Sequence, residues 1–261
     1  MPARIVCLSP YSKEQVEGLF AGHHAVDVAT VPDPPAPEAV LRECSTAELV
    51  IADKRHKHRL PREVLEQMRP CLLIQMPAVG FDVIDHRAAA DFDIAVANSA
   101  GYNRDGVADW TVMAILNLVR RGSWGDRRMR EGGWPKPEML NHELGALTIG
   151  IVGLGNVGSA LATRLLAFGS RVVYADIVER TFSGVERVPF VDLLQLADVV
   201  CVHVPLDKTT HPLIDAAALK RLRKGAFLVN ASRGPVVDEK ALIAALESGW
   251  ALGSGGDARR A

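Results

Sequence analysis

The sequence predicts an α/β protein with two domains, each built on a doubly wound parallel sheet. Short apolar runs alternate with amphipathic segments of helical period along most of the 261 residues, and this alternation is typical of a parallel sheet with helices on both faces. The length suits two domains of ordinary size. A glycine-rich turn near the middle of the chain separates a predicted strand from a predicted helix, where doubly wound sheets bind ligands. We expect the domains to cover residues 1–100 and 101–261.

The composition excludes several classes of function. Thirty basic and thirty-one acidic side chains give a formal net charge of -1, so no basic surplus indicates nucleic acid or an anionic membrane as the partner. No apolar run reaches the length of about 18 residues that would span a membrane. The four cysteines lie far apart, which argues against a disulfide framework or a zinc site and fits a reducing compartment. We therefore expect a soluble cytoplasmic protein without a metal site.

In the first hundred residues, four short apolar runs are predicted as buried strands, at 4–8, 48–52, 71–75 and 94–98. A helix is predicted at 12–21, and a proline-rich loop at 31–37 precedes a second helix. The segment 54–59, Lys-Arg-His-Lys-His-Arg, is interpreted as a solvated loop rather than a nucleic-acid patch, because the charge of the whole chain is balanced.

The second part of the chain begins with the longest helical pattern, at 105–121. Asp105 is its predicted cap, and Arg120 and Arg121 lie at the end where cations suit the helix dipole. The following segment, 122–137, is rich in Gly, Trp, Pro and charge and is predicted as a loop. Strands and helices then alternate regularly. The predicted strands are 148–152, 171–175, 199–204 and 226–230, and the predicted helices are 157–168, 191–196, 215–222 and 238–247.

A GxGxxG turn, Gly-Leu-Gly-Asn-Val-Gly, connects a predicted strand to a predicted helix and begins at Gly153. In such a turn Gly153 permits the sharp bend, Gly155 lets a pyrophosphate approach the backbone, and Gly158 lets the helix pack on the strand. Asn156 and Val157 stand at the start of the helix, where unpaired N–H groups attract phosphate. The turn and its surroundings predict a dinucleotide site.

An acidic residue that suits the ribose of NAD follows this turn. Asp176 ends the next predicted strand, 18 residues after Gly158. Its carboxylate can accept hydrogen bonds from both ribose hydroxyls and would repel a 2′-phosphate. The sequence therefore favours NAD over NADP as the cofactor.

A longer stretch near the end of the chain carries a family resemblance. Residues 230–239, Asn-Ala-Ser-Arg-Gly-Pro-Val-Val-Asp-Glu, together with the glycine turn and His-Val-Pro-Leu at 203–206, resemble the D-isomer-specific 2-hydroxyacid dehydrogenase family. The likeness covers residues 70–257. It implies two Rossmann-like or flavodoxin-like domains around a cleft. The first would bind a small 2-hydroxy or 2-oxo acid and the second would bind NAD.

The resemblance also implies roles for single residues. Arg233 would be the catalytic arginine that holds the substrate carboxylate and polarises the carbonyl, which suits a permanently charged guanidinium fork. The backbone of Val79 and Gly80 would offer N–H groups to that carboxylate, although Ala78 stands where many members have glycine. Asn103 would face the substrate or only form a turn. The further cofactor contacts implied by the resemblance are His203, Pro205, Asn230 and Asp257.

The last residues depart from the family pattern. Members continue beyond an aspartate like Asp257 to a glutamate and a histidine that form an acid–base pair, whereas this chain ends at Ala261. The last strands of the cofactor sheet and a C-terminal helix are expected to be absent with that pair, which would leave the cofactor domain incomplete. Loss of one positioned acid costs about 10²–10⁴ in rate, so turnover is expected to be impaired. None of the eight histidines is expected to replace the missing one.

Other functions stay open beside a D-2-hydroxyacid dehydrogenase. Gly-Tyr-Asn at 101–103 and Gly-Gly-Trp at 132–134 favour a formate dehydrogenase-like enzyme, whose reaction needs no proton relay. A non-catalytic NAD(H)-binding protein would bind NADH without turnover, and a defective fragment would do neither. The helix around 110–119 resembles the segment through which family members dimerise, so a homodimer is expected, although a core-facing helix fits the same periodicity.

Overall fold

The computed structural model describes residues 2–31, 36–134, 142–249 and 251–256, the last of these by its backbone. The chain folds as two units, Met1–Tyr102 (unit 1) and Asn103–Ala261 (unit 2). Each unit is built on its own sheet, and the strands pair in parallel in both. The predicted fold class is confirmed.

Unit 1 carries a five-stranded sheet in the order β2-β1-β3-β4-β5. Its strands are β1 (Ala3–Cys7), β2 (Val26–Thr30), β3 (Leu49–Ile51), β4 (Leu73–Met76) and β5 (Ala95–Asn98). Its helices are α1 (Lys13–Leu19), α2 (Pro37–Cys44), α3 (Arg62–Leu65) and α4 (His86–Asp91). The strand order reverses between β1 and β3. The carboxyl ends of these two strands therefore flank the crevice where doubly wound sheets bind ligands.

Apolar side chains cover both faces of this first sheet. The strand register places Val6 beside Val50 and Val50 beside Ile74, and all three are buried in one core. Ile5 and Ile51 are buried in a second core. Burial on both faces explains why these strands are unbroken apolar runs in the sequence.

Unit 2 carries a six-stranded sheet in the order β11-β10-β9-β6-β7-β8. Its strands are β6 (Thr148–Val152), β7 (Arg171–Ala175), β8 (Val185–Arg187), β9 (Val199–Val202), β10 (Ala226–Asn230) and β11 (Ala251–Gly256). Its helices are α5 (Arg104–Val119), α6 (Gly122–Arg130), α7 (Asn156–Ala167), α8 (Phe190–Leu196), α9 (Ala216–Leu219) and α10 (Glu239–Glu247). This is the usual strand order of dinucleotide-binding sheets, with its reversal between β6 and β9.

The strand β6 is buried on both faces, and a glycine within it lets one helix pack closely on the sheet. Ile149 and Ile151 are buried in one core and Val152 in another. Gly150 lies on the same face as Val152, and a Cβ atom there would stand 2.6 Å from the side chain of Leu193. The glycine therefore lets α8 pack directly on the strand.

The predicted loop at 122–137 is wrong in its first part, because the structure has α6 there. The glycines of this segment predict a loop, but other contacts stabilise a helix there. Arg130 and Asp126 form an ion pair one turn apart, with Nε and Oδ2 separated by 2.8 Å. At the helix start, the side-chain oxygen of Asn117 accepts the N–H of Ser123 at 2.7 Å. These side-chain contacts oppose the low helix propensity of glycine.

The predicted cap of the long helix is also wrong. α5 begins at Arg104 with Asn103 in the cap position, so Asp105 lies inside the first turn. There its carboxylate lies 3.3 Å from the guanidinium of Arg104 and 3.3 Å from that of Arg164 on α7. An acid in the first turn suits the helix dipole as well as a cap does, and the pairing with α7 could not be foreseen from local sequence.

No helix in the described part of the chain is long and apolar enough to cross a bilayer. Over the same residues, no group of three or more His, Cys, Asp or Glu side chains is placed to hold a metal ion. All four cysteines are free thiols and buried.

Candidate functional site

Three glycines with different surroundings shape the turn between β6 and α7. Gly153 has φ +93°, and a Cβ atom there would stand 2.6 Å from the carbonyl oxygen of His203. At Gly158 a Cβ atom would meet the carbonyl oxygen of Gly153 at 2.2 Å. At Gly155, by contrast, no described atom lies within 4 Å of the Cβ position. The fold itself requires Gly153 and Gly158, whereas Gly155 faces open space that a ligand can fill.

The first turn of α7 is open beside Gly155. This residue is the helix cap, and no side chain in the described residues caps the helix there. Asn156 is exposed and Val157 is half-buried. Because the first N–H groups of a helix lack intrahelical partners, this end combines donors with the positive end of the dipole. It is a site for an anion such as a pyrophosphate.

Asp176 follows the end of β7, and its side chain is only 12% exposed. Its Oδ2 accepts the N–H of Leu154 at 2.8 Å, and its Oδ1 accepts the N–H of Val178 at 2.9 Å. The guanidinium Nε of Arg180 lies 3.8 Å from Oδ2. The two backbone bonds fix the carboxylate beside the glycine turn, and each oxygen keeps a further lone pair for a ribose hydroxyl.

A tyrosine that sequence reasoning missed holds the loop after Asp176. The side chain of Tyr174 is buried in the core of unit 2. Its hydroxyl donates to the carbonyl oxygen of Arg180 at 2.5 Å and accepts the N–H of the same residue at 3.0 Å. One phenol thus satisfies both backbone groups of Arg180 and fixes the loop that begins at Asp176. No sequence motif marks this role.

A cavity of about 750 Å³ opens beside the glycine turn. The predicted cofactor residues that line it are Gly153, Gly155, Asp176, His203 and Pro205. The apolar residues Ile177, Phe190 and Leu213 are among the others that line it. A mainly apolar cavity with a few fixed polar groups is typical of a small-molecule site.

His203 lines this cavity, but both of its ring nitrogens are buried. Neither of its ring nitrogens has a hydrogen-bond partner within the described part of the chain. Burial lowers the pKa of the imidazole to about 4, so the ring is neutral at pH 7. A buried polar atom without a partner costs free energy, which the packing around the ring must offset.

These features fit NAD. Gly155 faces open space where the pyrophosphate approaches, and the open end of α7 supplies donors to it. Asp176 stands where the ribose hydroxyls of the adenosine half need an acceptor. The cavity beyond it is large enough for an aromatic base and apolar enough to bury one.

The turn that carries Arg233 follows β10. The amide of Asn230 donates from Nδ2 to the carbonyl oxygen of Arg233 at 2.8 Å. Its Oδ1 accepts the N–H and the hydroxyl of Ser232 at 3.0 and 2.7 Å. Asn230 therefore shapes the turn that presents Arg233, and its predicted contact with the cofactor stays a prediction.

Val79 and Gly80 lie in unit 1, in the loop after β4. The side-chain amide of Asn98 donates to the carbonyl oxygen of Val79 at 2.7 Å. The N–H of Ser99 donates to the carbonyl oxygen of Ala78 at 3.1 Å. The loop is thus held from β5, and Ala78 is accommodated in it where many family members have glycine.

The structure does not test the predicted roles of two site residues. Asn103 is exposed at the start of α5, and its side chain makes no capping hydrogen bond. Asp257 lies outside the described residues. Their assigned contacts stay predictions.

Sequence reasoning also missed a buried polar cluster in unit 1. Asp53 follows β3 and is fully buried, and its Oδ2 lies 2.9 Å from Nδ1 of His58. The signal in the sequence is slight, an aspartate shortly after an apolar strand. The charges of the segment 54–59 predict a solvated loop, and this is wrong for His58, whose side chain is buried.

Known proteins resemble this chain in sequence. Residues 112–260 match the family described as D-isomer specific 2-hydroxyacid dehydrogenase, NAD binding domain. The chain is 35% identical over 246 residues to a glyoxylate reductase of Korarchaeum cryptofilum, an alignment that covers 90% of this chain and 73% of that protein. It is 37% identical over 230 residues to a glyoxylate reductase of Thermofilum pendens, covering 85% of this chain and 67% of that protein.

Solved structures resemble the fold as well. A D-lactate dehydrogenase from Aquifex aeolicus, complexed with NAD and lactic acid, is 30% identical with a TM-score of 0.84, covering 97% of this chain and 76% of that chain. An NAD-dependent formate dehydrogenase from Staphylococcus aureus, in complex with NAD, is 29% identical with a TM-score of 0.85, covering 97% of this chain and 81% of that chain.

The fold of unit 2 and its glycine turn define a dinucleotide-binding protein of the Rossmann class. The matches go further. The chain belongs to the D-isomer specific 2-hydroxyacid dehydrogenase family, and its cofactor is NAD.

Proposed function

We propose that this chain is an oxidoreductase that uses NAD to interconvert a D-2-hydroxy acid and the corresponding 2-oxo acid by hydride transfer. The observation that supports it best is the pairing, within unit 2, of an NAD-type cavity with the ordered turn that carries Arg233. In the family that the chain belongs to, this arginine binds the substrate. The domain roles follow, with residues 1–100 binding the substrate and 101–261 binding NAD.

Arg233 is the proposed catalytic residue. An arginine guanidinium is positively charged, and its fork can hold a carboxylate through two parallel hydrogen bonds. The same charge withdraws electron density from the neighbouring carbonyl and stabilises the alkoxide that forms on reduction. The Asn230 contacts fix the backbone from which this side chain extends.

The N–H groups of Val79 and Gly80 are the proposed second clamp on the substrate carboxylate. The hydrogen bond from Asn98 to Val79 holds their loop in shape. Binding of a substrate would therefore cost little conformational entropy in this loop. When bound, NADH would supply the hydride that reduces the oxo carbon, and solvent water would supply the proton that converts the alkoxide into the hydroxyl group. Glyoxylate is the first substrate to test, because relatives 35–37% identical are glyoxylate reductases.

NADH oxidation with glyoxylate, pyruvate and longer 2-oxo acids tests the proposal. We expect turnover in the wild type and a loss of about 10²-fold or more in kcat for Arg233→Ala, as for removal of one electrostatic stabiliser. Arg221→Ala is the matched control, since Arg221 is an exposed arginine away from the cavity lining. Equal rates in the two variants would overturn the role of Arg233.

A second candidate is formate oxidation, favoured by the 29% identity to the formate dehydrogenase of Staphylococcus aureus. NAD reduction with formate as sole substrate discriminates the two. Formate turnover without 2-oxo acid turnover would replace the first proposal by the second. NADH binding without either activity would favour a non-catalytic NAD(H)-binding protein.

We further propose a homodimer in the cytoplasm. Trp110 and Met113 of α5 are 39% and 55% exposed, and two such apolar side chains one turn apart suit an interface. The four free thiols suit a reducing compartment. Light scattering on the purified chain should give twice the monomer mass, and Met113→Glu should lower it. A monomeric wild type would refute the dimer.

A further inference from the structure

Unit 1 has its own reversal of strand order, and polar side chains meet there. The reversal lies between β1 and β3, whose carboxyl ends lead to Ser9 and Asp53. The hydroxyl of Ser9 donates to the carbonyl oxygen of Ala52 at 2.8 Å and accepts the N–H of Lys54 at 3.0 Å. The ammonium of Lys54 lies 3.2 Å from the hydroxyl of Tyr11. The two strand ends are thus tied together at the place where doubly wound sheets bind ligands.

The loop after β3, residues 53–59 (the basic loop), is folded around the carboxylate of Asp53. This fully buried side chain accepts the N–H and Nε–H of Arg55, both at 3.1 Å, and the N–H of Lys57, also at 3.1 Å. His58 Nδ1 lies 2.9 Å from it. Burial alone would raise the pKa of this carboxyl, but the hydrogen bonds outweigh it and lower the pKa to about 2. The negative charge of Asp53 therefore attracts donors of the loop itself and holds the loop in one conformation.

The rest of the basic loop carries positive charge. It contains Lys54, Arg55, Lys57 and Arg59 and no acid besides Asp53. Lys54, Lys57 and Arg59 are exposed, and flexible exposed cations bind weakly. Arg55 differs from them, because its side chain is only 26% exposed and its Nε is held on Asp53. A guanidinium fixed in this way loses little entropy when it binds a carboxylate.

The basic loop is joined to the loop at 77–85, which is proposed to hold the substrate carboxylate. Leu60, just after the basic loop, forms a parallel bridge with Ile84. His56 Nδ1 lies 3.9 Å from Oδ2 of Asp82. The two loops therefore form one continuous edge of unit 1.

We propose that the substrate carries a second carboxylate at the far end of its side chain, and that Arg55, held in place by Asp53, binds it. The inference rests on the proposed function, in which the loop at 77–85 takes the first carboxylate of a 2-oxo acid. The basic loop then selects dicarboxylic 2-oxo acids over neutral ones. Arg55 determines specificity, and Asp53 is a positioning residue.

The test compares 2-oxoglutarate with 2-oxopentanoate, which has the same chain length without the second charge. In the wild type we expect kcat/KM to be about tenfold or more higher for 2-oxoglutarate, because a site built for a charged group rejects an analogue that lacks it. Arg55→Met should abolish this preference, mainly by raising KM for 2-oxoglutarate. Arg59→Met, an exposed cation of the same loop, is the matched control and should keep the preference.

Asp53→Asn should weaken the preference through KM for 2-oxoglutarate, while the affinity for NADH stays unchanged. Arg55→Lys separates charge from geometry, since lysine keeps the charge but cannot reproduce the Nε bond to Asp53. It should recover little of the preference. Far-ultraviolet circular dichroism and thermal unfolding report whether each variant is folded.

Equal efficiency of the wild type with the two acids would overturn the inference while leaving the proposed function intact. Loss of both substrates to the same extent in folded Arg55→Met would overturn it too. A calorimetric titration of the NAD-saturated chain with each acid reads the preference without turnover. No difference in affinity there would refute a second carboxylate site even if the proposed function also failed.

Discussion

Each unit has one point at which the strand order of its sheet reverses, but different groups occupy that point in the two units. In unit 2, between β6 and β9, glycines remove side chains, so Gly155 faces a cavity of about 750 Å³. In unit 1, between β1 and β3, the polar side chains of Ser9 and Asp53 fill the corresponding place with hydrogen bonds. One edge offers backbone and open space, and the other offers ordered charge. A cofactor common to a whole family suits the first, and a substrate that varies among members suits the second.

The largest effect is expected from the glycines of unit 2. Gly158→Ala should destabilise unit 2 by about 1–3 kcal/mol, because its Cβ would stand against the carbonyl oxygen of Gly153, and Tm should fall by about 2–4 °C per kcal/mol. Gly155→Ala should leave Tm unchanged and weaken NADH binding about tenfold or more, equivalent to about 1.4 kcal/mol. Thermal unfolding and NADH fluorescence measure both. Equal loss of Tm in the two variants would contradict the division between packing and ligand-facing glycines.

The corresponding change in unit 1 is Asp53→Asn. It removes a buried charge from four donors, so we expect a loss of about 3 kcal/mol in the free energy of unfolding. Asp27→Asn is the control, since Asp27 is half exposed in its pair with Arg4 and should cost less than about 1 kcal/mol. Urea denaturation followed by circular dichroism measures both. Similar costs would mean that the basic loop does not depend on its buried anion.

A smaller effect is expected from the Tyr174 hydroxyl, which fixes the loop after Asp176 beside the NAD cavity. Tyr174→Phe leaves both backbone groups of Arg180 without their partner, which should raise the Kd for NADH about tenfold or less. Tyr102→Phe is the control, because that tyrosine is 84% exposed. Fluorescence titration gives both constants. An unchanged Kd for Tyr174→Phe would mean that Asp176 keeps its position without the hydrogen bonds of the Tyr174 hydroxyl.

The smallest effect is a difference in acid sensitivity between the units. The pKa of His203 is lowered from 6.5 to about 4 by burial, so its neutral form stabilises unit 2 above pH 6.5 and this stability is lost as the pH falls towards 4. The pKa of Asp53 is lowered from 3.8 to about 2, so its contribution to unit 1 is complete above pH 3.8 and is lost as the pH falls towards 2. His203→Gln should flatten the first window and Asp53→Asn the second. Denaturant midpoints across pH 2–7 that keep the wild-type slope in both variants would rule this assignment out.

The contrast between the units also explains what the sequence could predict. Gly153, Gly155 and Gly158 were recognisable because their spacing matches a turn in which the three glycines serve the bend, the ligand and the helix packing in that order. Strands such as β6, β7 and β10 were recognisable because burial on both faces leaves an apolar run. The short edge strands β2 and β8 were missed, since they are partly exposed and carry polar residues.

Other features depended on contacts between residues far apart in the chain. The role of Asp105 is set by Arg164, 59 residues away, and Ser9 meets Lys54 across 45 residues. The segment 54–59 carries the charges of a solvated loop, and the buried partner that orders it is visible only in three dimensions. Arg233 was found by resemblance, whereas the turn that presents it was not.

The transfer of label from deuterated NADH to a 2-oxo acid tests the central claim most directly. Glyoxylate and 2-oxoglutarate would each be incubated with the wild-type chain and NADH deuterated at the reactive position, and the product analysed by mass spectrometry and chiral chromatography. The account predicts a 2-hydroxy acid with deuterium on C2, in the D configuration when C2 is chiral by its side chain. A product of L configuration, or one without deuterium on C2, would contradict the proposed hydride transfer.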